Sequence, residues 1–182
     1  MKYNKIMQKP YCCVGACVEM VLNRHQIKND GQEEIAYQLG LTVPEEMRGY
    51  FKKARYGKRP NSGYGTQIQK EKYSLNHFFR KNDIYLKESY HYITDYHEAK
   101  KFLEENNDKD ILIIFHCGTL YDSLQANWGH MVLFEKIEQD KVTILEAIEK
   151  RNIERVSLKK LLQAIKIHGK DNGAGFYLIE PM

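Results

Sequence analysis

Gly129-His130-Met131-Val132-Leu133-Phe134-Glu135-Lys136-Ile137-Glu138-Gln139-Asp140-Lys141-Val142-Thr143-Ile144-Leu145-Glu146 is the stretch on which the fold turns. Met131 to Ile137 and Val142 to Glu146 are apolar and rich in β-branched residues, as strands are, and the polar segment Glu138-Gln139-Asp140-Lys141 between them has hairpin length. Two antiparallel strands therefore lie in the last third of the chain. Outward from them, the continuous run Asp110 to His116 predicts a buried strand, Ile84 to Tyr92 another, and Gly175 to Ile179 a closing one. Asp95 is placed to cap a helix whose Ala99, Phe102 and Leu103 face inward, and Ser157 to cap one through Leu158, Leu161, Leu162 and Ile165.

The first third reads differently. Cys13, Cys17, Met20 and Val21 fall at i, i+4, i+7, i+8, one face of a helix from Cys13 to Arg24. A second helix is predicted from Gln32 to Leu39, and a third after Pro44, through Glu45-Glu46-Met47 to about Arg55. Gly57, Pro60, Gly63 and Gly65 make Arg55 to Tyr73 a long loop, and Ser74 caps a short helix through Leu75, Phe78 and Phe79. Helices first and a mostly antiparallel sheet afterwards is an α+β layout and not a βαβ alternation. The 182 residues make one domain, helical to about residue 83 and sheet-based from 84 to 182.

Composition narrows the function classes. Apolar residues at 42% and charged residues at 29% suit a water-soluble protein with a real core, and 13 Tyr, 7 Phe and 1 Trp argue against disorder. Mean hydropathy is −0.62, and the longest aliphatic run, Ile111 to Phe115, falls far short of the roughly 20 residues a bilayer span needs, so no membrane partner is expected. A net charge of +4 is too weak to argue for nucleic acid. The basic run Arg48, Lys52, Lys53, Arg55, Lys58, Arg59 reads as a solvated helix face entering a loop. No apolar signal region precedes residue 10, and three of the four cysteines (Cys12, Cys13, Cys17) crowd together while Cys117 stands apart. This predicts reduced thiols in a cytoplasmic protein. The thiols lack the paired spacings of a zinc site, and no phosphate or dinucleotide fingerprint is present, so neither metal nor cofactor is expected.

Chemistry points to two places. A cysteine in the first turn of a helix sits where unpaired N–H groups and the helix dipole stabilise a thiolate. Cys13 holds that position, Cys12 rivals it, and Cys17, a turn further in, reads as core. Gly15 and Ala16 leave room for another segment or a substrate backbone. Gln8, a few residues upstream, carries an amide able to donate to a developing oxyanion together with the cysteine's own N–H. His130, at the mouth of an apolar strand, is the candidate base, and Glu146, sixteen residues on, returns close to its level in the hairpin to orient the ring. His116 is the rival base, with no carboxylate at hairpin spacing.

Taken in order, Gln8, then Cys13-Val14-Gly15-Ala16-Cys17 opening a helix, then Gly129-His130 starting a strand, then an acid ending the next strand, the chain resembles the papain-like cysteine peptidases that process double-glycine leaders, and their stand-alone bacterial relatives. The likeness spans nearly the whole chain, including the Ser157 helix and last strand. It implies a papain-like fold, a helical lobe facing an antiparallel sheet, with Cys13 as nucleophile, His130 as base and acid, Glu146 as orienter, Gln8 as oxyanion donor and a peptide or protein as substrate. The chain departs from the family in having Cys12 for Asp, Val14 for Gly, Glu146-Ala147 for Asp or Asn followed by Pro, and Gln8 one residue closer to the nucleophile. A thioester intermediate serves deamidation and acyl transfer as well as proteolysis, so a deamidase, an acyltransferase and a catalytically silent peptide-binding module stay open beside the peptidase.

Overall fold

A computed structural model describes residues 2–182. The hairpin is formed by β5 (Gly129–Glu138) and β6 (Lys141–Leu145), joined through Gln139 and Asp140, with Gln139 at φ 56°. Around it a six-stranded sheet runs in the order β3-β8-β4-β5-β6-β7, where β3 is Leu86–His91, β4 Asp110–His116, β7 Ile153–Ser157 and β8 Gly175–Pro181. The pairs β4–β8, β4–β5, β5–β6 and β6–β7 are all antiparallel. The layout is α+β, as the element order predicts.

Contacts divide the chain into two compact units. The first comprises Glu88–Glu146 and Lys150–Glu180 and holds nearly all of the large sheet. Its core lies where Ile111, Ile113 and Phe115 of β4, Val132 and Phe134 of β5 and Phe176 of β8 meet the inward faces of α4 (Tyr96–Glu105) and α6 (Leu158–His168). Asp95 caps α4, accepting from the Glu98 N–H at 2.9 Å, and Ser157 caps α6, accepting from Lys160 at 3.2 Å. Two elements have no clear signal in the sequence. The strand β7 is short and mixed in polarity, and α5 (Cys117–Tyr121) is a five-residue turn of helix that His116 caps by accepting from Thr119.

The second unit comprises Lys2–Lys87 with Ala147–Glu149 and Pro181–Met182. Its main helix, α1 (Cys13–Arg24), buries Val14, Gly15, Ala16, Cys17, Val18, Met20, Val21 and Leu22, so it is covered on almost every side. Next to it lies α2 (Gln32–Gln38), and α3 (Leu75–Lys81) starts at Ser74 as the capping residue predicts. The helix expected from Pro44 to Arg55 is absent. Only Glu45–Met47 makes a single 3₁₀ turn, and Gly49 then takes a left-handed φ of 88°, which ends any helical run. Two short parallel strands flank this segment, β1 (Thr42–Val43) before it paired with β2 (Arg55–Tyr56) after it.

The basic run is consequently not a helix face. Arg48 pairs with Glu45 at 2.5 Å, Lys53 pairs with Glu34 at 2.7 Å, and Arg55 stacks between Tyr37 and Tyr73. The glycine-rich loop after it is tied down by the buried Gln67, whose Nε2 donates to the carbonyls of Gly63 (3.1 Å) and Gly65 (3.3 Å).

The close packing of α1 on α2 depends on Gly15. A Cβ there would lie 2.3 Å from the carbonyl oxygen of Gln32, a backbone atom that has little freedom to yield. Gly15→Ala should gain about 1 kcal/mol of helix propensity but lose more to overpacking. A net destabilisation of about 1–3 kcal/mol is expected, read as a lower urea midpoint at unchanged slope.

Candidate active site

In the first unit, His130 and Glu146 come together. His130 Nε2 lies 2.8 Å from Glu146 Oε2, with the residues 3% and 0% exposed. The route to this pairing is a register shift. From Glu138↔Lys141 to Lys136↔Thr143 the hairpin pairs in one register, and from Phe134↔Ile144 to Leu133↔Leu145 it pairs one residue out of step, with Glu135 as the extra residue of a β-bulge. Continued, the shifted register sets Glu146 opposite Val132, on the same face as His130 and two positions along. Without the bulge Glu146 would stand opposite Leu133, facing the other way. The carboxylate thus reaches the imidazole diagonally, not from directly across.

The carboxylate has a second partner that the sequence did not mark. The Tyr121 hydroxyl, at the end of α5, donates to Glu146 Oε1, and the Arg151 guanidinium lies 4.0 Å from the centre of the Tyr121 ring. Burial is the largest single influence on Glu146 and pushes its carboxyl up. The hydrogen bond and charge of His130, the Tyr121 hydroxyl and the charge of Arg151 together outweigh it and hold the carboxyl below its ordinary value. Tyr121 itself is pushed up, by burial first and by the Glu146 charge next, so its hydroxyl keeps its proton and stays a donor. Phe115, the register partner of His130 on β4, meets the imidazole edge-on with ring centres 5.9 Å apart. Gly129 explains the Gly-His pair, since a Cβ there would lie 2.3 Å from Nε2 of His168.

His116, the rival base, is occupied otherwise. Its Nδ1 accepts from the Thr119 N–H at 3.1 Å, which places the ring proton on Nε2, 2.9 Å from Asn127 Oδ1. It is a helix cap. An open groove of about 860 Å³ lies beside it, lined among others by Thr119, Asp122, Asn127, Lys160 and Ile167, but neither His130 nor Glu146 lines that groove.

In the second unit, Cys13 is the first residue of α1 and is half-buried, with no acidic side chain in the first turn of the helix to oppose a thiolate. Its neighbour Cys12 points into a small core with Ala36, Leu41, Val43 and Phe51 and is 0% exposed. Burial first, then the nearby Cys13 and Glu33, push the Cys12 thiol up to about 12. Cys17 is fully buried, as its place on the apolar face predicts. A turn leads into the helix: Cys12 N–H donates to the Lys9 carbonyl at 3.0 Å, with Pro10 and then Tyr11 (φ 62°) at its corners. Gln8 sits just before this turn. Its N–H donates to the Ala147 carbonyl at 2.8 Å, and its side-chain Oε1 is buried with no hydrogen-bond partner among the described residues. The space left by Gly15 holds α2, not a substrate backbone. None of the four cysteines forms a disulfide. Among the described residues no group of three or more His, Cys, Asp or Glu is placed to hold a metal ion, and no helix is long and apolar enough to cross a membrane.

Solved structures of similar architecture include three peptidases. The chain superposes on a protein described as a C39-like peptidase from Bacillus anthracis with a TM-score of 0.62 at 15% identity, over 97% of this chain and 94% of that one. It superposes on the peptidase domain of Streptococcus ComA, a bifunctional ABC transporter of a quorum-sensing pathway, with a TM-score of 0.59 at 10% identity and full coverage of both. A double-glycine-motif protease from an AMS/PCAT transporter, solved with its leader peptide, gives 0.56 at 14% identity over 99% and 92% of the two chains. No protein-family model and no curated protein matches the sequence. At these identities the likeness is one of fold, and the fold is that of the papain-like C39 peptidases.

Two outcomes test the Glu146 network. Tyr121→Phe removes a donor from a buried carboxylate and should cost about 1–3 kcal/mol in denaturant titration. Because the folded protein holds the Glu146 carboxyl below its ordinary value of 4.5, its contribution to stability is complete above that pH and is lost as pH falls through the lower folded value. The melting temperature of Glu146→Gln should therefore fall less steeply below pH 4.5 than that of the unaltered protein.

Proposed function

We propose that residues 1–182 form one papain-like domain and that it is a cysteine peptidase, cleaving a peptide or isopeptide bond with Cys13, His130, Glu146 and Gln8. The observation that carries this reading is the buried His130–Glu146 hydrogen bond. A carboxylate on Nε2 fixes the ring plane and leaves Nδ1 as the nitrogen that exchanges protons with the nucleophile, which is the arrangement a general base requires. The place of the half-buried Cys13 at the start of α1 supports it as the nucleophile, and the buried, strongly raised thiol of Cys12 speaks against its rival.

In this mechanism His130 takes the Cys13 proton as Sγ forms a bond to the carbonyl carbon. The carbonyl π electrons move onto oxygen, which accepts hydrogen bonds from the Cys13 N–H and the Gln8 amide. Collapse of the oxyanion breaks the C–N bond, and His130 hands its proton to the departing amine, leaving a thioester. Water then attacks the thioester carbon, giving one proton to His130. The C–S bond breaks, and that proton returns to sulfur. Glu146 holds the ring and offsets the imidazolium charge throughout. A leader-type peptide is the proposed substrate, because a leader peptide is what the double-glycine-motif protease of the same fold holds.

Cys13→Ala should abolish cleavage, by at least about a thousandfold, while Cys12→Ala retains it. Iodoacetamide should label Cys13 in preference to Cys12, and a panel of peptide aldehydes read by mass spectrometry should trap Cys13 and report the preferred side chains. Full cleavage by Cys13→Ala would overturn the reading. Ammonia release without chain cleavage would assign a deamidase to the same residues.

A further inference from the structure

The start of α2 makes contacts that neither core packing nor helix capping requires. The side-chain amide of Gln32 spans Gln8. Its Oε1 accepts from the Lys9 N–H at 2.6 Å, and its Nε2 donates to the Met7 carbonyl at 2.8 Å. These two bonds fix which end of the amide is oxygen, since one end meets a donor and the other an acceptor. They also reproduce half of a β-ladder. In an extended segment the carbonyl of residue 7 and the N–H of residue 9 lie on one edge, and the N–H of residue 8 lies on the other. That second edge is bound as well, by the Ala147 carbonyl at 2.8 Å. The backbone of Gln8 is therefore held from both sides.

Gln32 is in turn fixed on the helix that carries Cys13. Its own N–H donates to Glu19 Oε2 on α1 at 2.7 Å, and its carbonyl rests against Gly15, two residues after Cys13. Next to it, Glu33 accepts from Lys9 Nζ at 2.5 Å and from the Lys53 N–H at 3.0 Å. One residue thus grips the nucleophile helix with its main chain and the Gln8 segment with its side chain.

We propose that Gln32 is a positioning residue, whose side-chain amide sets Gln8 in register with Cys13 so that the Gln8 amide meets the oxyanion. This rests on the reading of Gln8 as an oxyanion donor. A displacement of about 1 Å in such a donor can cost a hundredfold in rate, whereas thiolate formation does not depend on it.

The test compares Gln32→Met, which keeps the length and removes both hydrogen bonds, with Gln8→Ala and the double variant. The probes are a fluorogenic peptide amide built on the sequence the aldehyde panel selects, and iodoacetamide. Gln32→Met should lower kcat about 10- to 100-fold with KM within about twofold, and leave the alkylation rate of Cys13 unchanged. In the Gln8→Ala background it should add no further loss. Gln32→Glu keeps the acceptor for Lys9 but sets an oxygen against the Met7 carbonyl. It should show the same pattern, and it serves the comparison if Gln32→Met does not fold. Equal losses in both backgrounds, a parallel fall in alkylation, or unchanged kcat in a cleaving Gln32→Met would overturn the positioning role while the peptidase reading stands. An unaltered protein that neither cleaves nor alkylates at Cys13 would overturn both.

Discussion

A single extra residue in the β5–β6 hairpin is the constraint on which the candidate base depends. Side chains alternate faces along a strand, so a one-residue slip in pairing exchanges the two faces. Glu135 supplies that slip between Phe134 and Lys136, and everything beyond it toward the open end of the hairpin is moved to the opposite phase. Glu146 arrives beside His130 only because of it. A regular hairpin of the same composition would turn the Glu146 carboxylate to the opposite face from the imidazole. The Tyr121 hydroxyl and the Arg151 guanidinium then extend this pair outward as a chain of partners drawn from α5 and the segment before β7.

Much of this was legible in the sequence, and what was not has physical reasons. The helix from Cys13 to Arg24, the caps at Ser74, Asp95 and Ser157, and the strand from Asp110 to His116 follow from local patterns that tertiary packing had no cause to override. The proximity of His130 to Glu146 followed from hairpin length, but the bulge that makes it work leaves no trace in composition. The helix after Pro44 failed because Pro44, Glu45 and Glu46 announce a start while Gly49, three residues past them, stops it. Tyr121 was invisible because its role comes from the end of a five-residue helix reaching a strand end 25 positions away. Gln32 was invisible for a related reason: an amide that imitates a neighbouring strand has no sequence signature.

The histidines show how burial and hydrogen bonding separate residues of one type. His116 spends its Nδ1 on a helix N-terminus and its Nε2 on Asn127. His168 fills the space left open by Gly129, and burial, aided by nearby His116, holds it below its ordinary value and so in the neutral form. His130 alone of the three is set against a carboxylate. Sequence spacing ranked His130 above His116 because an acid follows it in the hairpin, and that acid is the partner His130 meets.

The adjacent thiols of Cys12 and Cys13 carry one more consequence. Were Cys13 the nucleophile, a second cysteine beside it would ordinarily offer an escape route, since acyl groups migrate readily from one sulfur to another. The Cys12 thiol is buried and pushed up to about 12, so almost none of it is thiolate at neutral pH. The Cys12 sulfur is therefore a poor acceptor for any group that Cys13 would carry.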